Sequence, residues 1–379
     1  MYKNSKPIKM KYKLFTTALT LVFIFLLQQS QATIKTVCNY PLNVALYNDI
    51  QSAIDASSAG DTILVQGSPV TYEPAILQDK LLTLIGPGWS PVRNAGALTA
   101  KVKRITINGP LSSGSEVQGF IFAEGVYAGL ATEQNVSINN LRIIRNHFYG
   151  LSFNIADGFG NGNGAAFCSG YVIEGNYFYN SFIFLEFYNH LANTIIRNNV
   201  FLRSYIQDFA LCNNVIVDHN IFYNDINNLS VPALSICSLL TIQNNIFCKM
   251  ECGGNNTTDH CTFKNNITYN TSVTPAWTLD FNGDGGGNML EQNPGMADQV
   301  SVNNGVDNPL LNFTIASGPA NNSGSDGKDM GLLYDQTGSL NWNNSRTSRL
   351  PYIFNVNIAN NTIDLNATLN VTIEARRNN

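Results

Sequence analysis

The densest set of metal-type ligands in the sequence is Asp280-Phe-Asn-Gly-Asp-Gly-Gly-Gly-Asn-Met-Leu-Glu291, which has the twelve-residue spacing of a calcium-binding loop. Asp280, Asn282, Asp284, Asn288 and Glu291 fall at the oxygen-ligand positions, with Gly285 at the turn. Such a loop needs flanking helices as a rigid frame, but Pro275 and Pro294 bracket this one, and Gly287 stands where an apolar residue is usual. A Gly/Asn/Asp-rich turn explains the same composition on backbone grounds and is the preferred reading, with calcium as the candidate cation otherwise. A second constellation pairs Glu186 with Asp208, which follow Phe178 and Phe201 by eight and seven residues. Two carboxyls brought close together could hold a cation or cleave a glycosidic bond. Arg203 and His190 lie near them in sequence, and Tyr179, Tyr205 and Tyr223 could stack on sugar faces. Ordinary surface decoration is the preferred reading for each of these residues. Cys248, Cys252, His260 and Cys261 have the spacing of a zinc set. In an exported chain a disulfide, or no bond, is the expectation ahead of zinc. The glycine-rich stretch from Asp157 to Gly164 lacks the strand and helix of a phosphate loop and reads as a plain loop.

These residues must be positioned by a repeat that runs from Tyr171 to Asn270. Its copies are Tyr171-Val-Ile-Glu-Gly-Asn-Tyr-Phe178, Thr194-Ile-Ile-Arg-Asn-Asn-Val-Phe201, Val215-Ile-Val-Asp-His-Asn-Ile-Phe222, Leu240-Thr-Ile-Gln-Asn-Asn-Ile-Phe247 and Cys261-Thr-Phe-Lys-Asn-Asn-Ile-Thr268. A looser copy, Ile143-Ile-Arg-Asn-His-Phe148, precedes them. A period in the low twenties built on β-branched residues, Asn and Phe is a solenoid signal, because one copy cannot bury a face alone. Stacking at ~4.8 Å aligns equivalent residues in columns. Phe178, Phe201, Phe222 and Phe247 then form an inner aromatic column, and Asn176, Asn199, Asn220, Asn245 and Asn266 an amide ladder. Ile173, Ile196, Val217, Ile242 and Phe263 point inward, and Glu174, Arg197, Asp218, Gln243 and Lys264 outward. His219 shares a column with Asn198, Asn244 and Asn265, as a polar substitute rather than a base. Cys168, Leu191, Cys212 and Cys237 share another, which makes buried thiols the plain reading and places Cys212 beside Cys237, within bonding reach. Seven cysteines leave at least one unpaired.

Residues 1–32 read as a secretory signal peptide: five lysines precede an apolar run from Leu14 to Leu27, and Ser30-Gln-Ala32 offers a cleavage site. Its removal leaves 17 basic against 26 acidic side chains, a net charge near −9. That balance excludes nucleic acid and anionic membranes as natural partners. No other stretch could span a bilayer, so the exported chain is expected to be secreted or at the cell surface.

At the N-terminal end, Asp49 to Gly60 reads as a short amphipathic helix with Ile50, Ala53 and Ile54 on one face. Ile50-Gln-Ser-Ala-Ile-Asp-Ala56 running into Ala59-Gly-Asp-Thr-Ile63 resembles the cap and first coil of the right-handed parallel β-helix (pectate-lyase-like) family of secreted bacterial proteins. Gly318-Pro-Ala-Asn-Asn-Ser-Gly-Ser-Asp-Gly-Lys-Asp-Met-Gly331 is similar to the closing coil of many of its members. The resemblance implies an all-β right-handed parallel β-helix over residues 40–338, plugged by a short N-terminal capping helix. Tyr352–Ile358 and Ala367–Glu374 alternate as strands and supply a C-terminal β appendage over 339–379. The family's commonest activities are polysaccharide lyase and glycoside hydrolase. The paired-Asp clusters and Arg-x-Lys turn of its polygalacturonase-like members are missing, and Asp218-His219, which echoes a pectate-lyase motif, is explained by the columns. The expectation is therefore a scaffold that binds polysaccharide or surface glycan along its long face, with no cofactor established. Catalysis by surface carboxylates is the alternative.

Overall fold

In a computed structural model the chain divides into Met1–Thr33 and Ile34–Asn379. The structure describes residues 32–90, 98–129, 136–149, 153–155, 167–185, 190–210, 212–225, 232–253, 257–271, 274–279, 281–335, 340–345, 352–358 and 371–376. The expected signal peptide, save Ala32, and Asp157–Gly164 lie outside these residues. Ile34–Asn379 carries an all-β parallel solenoid of about eight turns.

One sheet stacks strands that include Ile34–Val37, Thr62–Val65, Thr83–Ile85, Glu116–Gln118, Arg142–Ile144, Val172–Glu174, His190–Arg197, Cys212–Asp218, Leu240–Gln243, Thr262–Lys264 and Gly283–Asp284. The second sheet stacks Ala75–Gln78, Lys101–Asn108, Ile121–Ala128, His147–Tyr149, Tyr177–Tyr179, Val200–Leu202, Ile221–Tyr223, Ile246–Cys248 and Ile267–Tyr269. A third strip, Phe153–Ile155, Phe182–Leu185, Tyr205–Gln207 and Leu234–Ser235, joins the second at Ile121–Ala128. The expected columns are in register: Ile173 with Ile196, Val217, Ile242 and Phe263, and Phe178 with Phe201, Phe222 and Phe247. The phenylalanine rings stack at 4.4 to 5.1 Å, and Phe148 and Phe122 extend the column.

The amide ladder forms as a chain of charge-neutral, fully buried bonds. Asn199 Nδ2 donates to Asn220 Oδ1 at 3.0 Å, Asn220 Nδ2 to Asn245 Oδ1 at 3.0 Å, and Asn245 Nδ2 to Asn266 Oδ1 at 3.1 Å. Each Oδ1 also accepts the preceding rung's backbone N–H, so one side chain satisfies groups of two coils. The residue before each rung turns the chain from the first sheet to the second in the left-handed region, as at Gly175 (φ 67), Asn198 (55), His219 (51), Asn244 (57) and Asn265 (48). Asn and Gly recur there because that backbone costs other residues ~1–2 kcal/mol.

The helix is shorter than its sequence pattern, Ile50–Asp55, with the Asp49 carboxylate accepting from Ser52 N at 2.7 Å. Its apolar face joins the core, and Gln51 closes a sheet edge: its amide donates to Ile76 O at 3.1 Å and accepts from Ile76 N at 2.7 Å. At the other end the structure departs from expectation. Gly318–Gly331 adds no coil. Residues 292–335 and 340–345 instead run back over the outer face of the second sheet. A first pass reaches Tyr223 OH with Val306 O (3.1 Å) and Tyr177 OH with Asp307 Oδ1 (3.1 Å). A second pass follows the left-handed corner, from Ser323 beside Asn265 to Leu333 beside Asn198, and ends with Trp342 packed 6.2 Å from Trp89. This strap buries the outward apolar column Tyr177, Val200, Ile221, Ile246 and Ile267. Tyr352–Ile358 and Val371–Arg376 pair antiparallel, as a hairpin.

Candidate functional site

The calcium-like stretch is the last coil of the solenoid. Gly283–Asp284 forms the final strand of the first sheet, and the turn falls at Gly286 and Gly287, one residue after the expected Gly285. Gly287 occupies the corner column, where a Cβ would meet the Asn265 amide at 2.6 Å. Asn288 is a further rung of the ladder, accepting Asn266 N and Nδ2, each at 3.0 Å. Asn282 accepts Cys261 N at 3.0 Å and donates to Thr258 Oγ1. Asp284 accepts Gly286 N and Asn288 Nδ2, and Glu291 accepts Thr271 N and its hydroxyl. All four side chains therefore carry structural bonds; Asp280 lies outside the described residues. The Asn266–Asn288 interval of 22 residues matches the repeat and could have exposed that rung.

Glu186 also lies outside the described residues. Asp208 sits at a left-handed corner (φ 61), is 5 % exposed, and finds no well-formed hydrogen-bond donor for either carboxylate oxygen among the described residues. Burial pushes its pKa above the usual carboxylate range, against a weaker opposing effect of Gln207. Register pairs Phe184 with Gln207, so Asp208 follows in line with Leu185, one residue short of Glu186.

The aromatic candidates separate. Tyr223 is not exposed: the strap buries it completely, and its hydroxyl contacts Val306 O and Tyr177. Tyr179 is half-buried and in register with Tyr149, with ring centroids 5.1 Å apart. The Arg203 guanidinium lies 5.8 Å from the Tyr179 centroid, and Nη2 pairs with Asp225 at 2.6 Å. Tyr205 is half-buried, in register with Phe182 and stacked on it at 5.4 Å. His190 stacks on the exposed Phe167 at 4.5 Å, in the stretch that precedes the Cys168–Leu191 pairing. Tyr149, Phe182 and Phe167 are the aromatic partners that the sequence motifs did not single out. Tyr149 was legible as the residue after Phe148, since Tyr179 follows Phe178 likewise.

All seven cysteines are free and buried. Burial pushes the Cys212 thiol up to about 12, with the neighbouring Cys261 adding to it. Burial also raises the Cys237 thiol, with Cys261 and Cys212 adding to it, and Cys261 Sγ lies 3.7 Å from Cys237 O. His260 is exposed and paired with Asp259 at 2.8 Å. Among the described residues no three His, Cys, Asp or Glu side chains are grouped to hold a metal ion, and no helix is long and apolar enough to cross a membrane.

No known family model matches the sequence, and no curated protein matches it significantly.

Proposed function

We propose that the protein is an exported, secreted or cell-surface β-helix scaffold that binds neutral glycan on its long face, at Tyr149, Tyr179, Tyr205, Phe182 and Arg203. The observation that carries this reading is the pair of in-register outward aromatic rows, Tyr149–Tyr179 and Phe182–Tyr205. Rings repeated at coil spacing offer apolar faces to successive sugars, and hydroxyl and guanidinium donors beside them serve sugar oxygens. The Arg203 charge is matched by Asp225, and the chain is acidic, which favours a neutral over a uronate polymer.

Affinity electrophoresis across neutral and acidic polysaccharides tests the proposal. Retardation by a neutral glycan, weakened at least about fivefold in Tyr149→Ala/Tyr179→Ala, is expected from stacking contributions of ~1 kcal/mol. Equal retardation of parent and variant refutes the site. A parallel assay for unsaturated products on pectate and alginate should be silent. Turnover there, lost in both Glu186→Gln and Asp208→Asn, would replace the scaffold reading with a lyase.

A further inference from the structure

The left-handed corner column is also the rail on which the strap docks. Asn198 Oδ1 accepts Leu333 N at 2.7 Å, Asn244 Oδ1 accepts Ser325 N at 2.7 Å, and Asn265 Nδ2 donates to Ser323 O at 2.9 Å. Where the column has three amides it has one imidazole, His219, and opposite it the strap places Asp326. His219 is 1 % exposed. Its Nδ1 lies 2.8 Å from Asp218 Oδ1, while Nε2 lies 3.6 Å from Asp326 Oδ1 without the geometry of a hydrogen bond.

From this geometry we infer that His219 and Asp326 form a proton-controlled latch, which holds the strap more tightly to the solenoid when the imidazole is charged. With Nδ1–H donated to Asp218, neutral His219 turns a lone pair toward the Asp326 carboxylate, and two acceptors face each other. A proton on Nε2 converts that contact into a charge-assisted donor–acceptor pair, leaving the imidazolium between two carboxylates. The side chains around it admit this. Burial works against the Asp218 charge, but hydrogen bonds from His219 and Asn244 outweigh it and keep its pKa below the usual range. Asn244 Nδ2 faces Asp218 at 2.9 Å and is neutral. Arg197, in register with Asp218, is held by Glu174 at 2.8 Å. On the strap, Lys328 lies 3.9 Å from Asp335, and Asp329 accepts Asn322 N.

The latch forms when the imidazole takes up a proton and is lost as pH rises. Hydrogen exchange of the full chain, read by mass spectrometry on peptides covering 320–334 and corrected for intrinsic rates, should show strap protection about fivefold higher at pH 5.5 than at pH 8. Peptides from 101–108, whose apolar residues lie in the inner core and not under the strap, serve as the unchanging reference. His219→Asn restores the column's usual residue and Asp326→Asn removes only the strap's charge, so each should fold and each should flatten the pH response. Flat or inverted protection in the parent, or a response that survives either substitution, overturns the latch.

Discussion

Asn220→Leu is expected to destabilise the protein far beyond a surface change, because one amide serves three coils. Its Oδ1 is the acceptor for Asn199 N–H at 2.9 Å and for Asn199 Nδ2 at 3.0 Å. Its Nδ2 donates to Ile196 O at 2.9 Å, to Asp218 O at 3.0 Å and to Asn245 Oδ1. Leucine has similar bulk, so the cavity effect is small and the polar effect dominates. Leaving the buried Asn199 N–H without this acceptor costs about 1–3 kcal/mol, and the remaining lost bonds together about 2 kcal/mol, which sets the expectation near 4 kcal/mol. The control is Asn214→Ala, at an exposed left-handed corner (φ 55), where backbone strain of ~1 kcal/mol and one exposed hydrogen bond, Asn214 Nδ2 to Asn193 Oδ1 at 2.9 Å, are at stake. Denaturant unfolding of both variants, with exchange mapping of the 190–250 coils, gives the comparison. The reasoning fails if Asn220→Leu loses no more than the control, or if the added exchange is confined to its own coil. Shared rungs require the coils of Asn199 and Asn245 to loosen too.

Two further outcomes are expected. Calorimetry should find no micromolar calcium binding, since Asn282, Asp284, Asn288 and Glu291 already serve backbone and ladder groups; binding abolished by Glu291→Gln would contradict this. Native alkylation at pH 8 should be slow at Cys212, whose thiol burial pushes up to about 12, and non-reducing peptide mapping should find Cys212 and Cys237 joined to each other or both free. Either of them paired with Cys38 would contradict the stacking.

The fold was legible because a solenoid writes its contacts at a fixed period. Phe201 meets Phe222, and Asn199 meets Asn220, at an interval that recurs, so one coil's contact predicts the next. The strap was not legible for the opposite reason. Ser325 reaches Asn244 across 81 residues and Leu333 reaches Asn198 across 135, each contact made once. That loss carried Tyr223 with it, since its place after the column phenylalanine marks it as outward but does not show what covers it. A trace of the cover was nevertheless present. Val200-Phe201, Ile221-Phe222 and Ile246-Phe247 are adjacent apolar pairs, and adjacent residues of a strand face opposite sides. A strand apolar on both sides must be buried on both. The sequence thus demanded a cover over the second sheet without naming the segment that provides it. The same argument marks where a ligand face remains. Outward Tyr149 is 51 % exposed, while outward Val200, Ile221 and Ile246 are fully buried, so the open aromatic surface begins where the strap's cover ends.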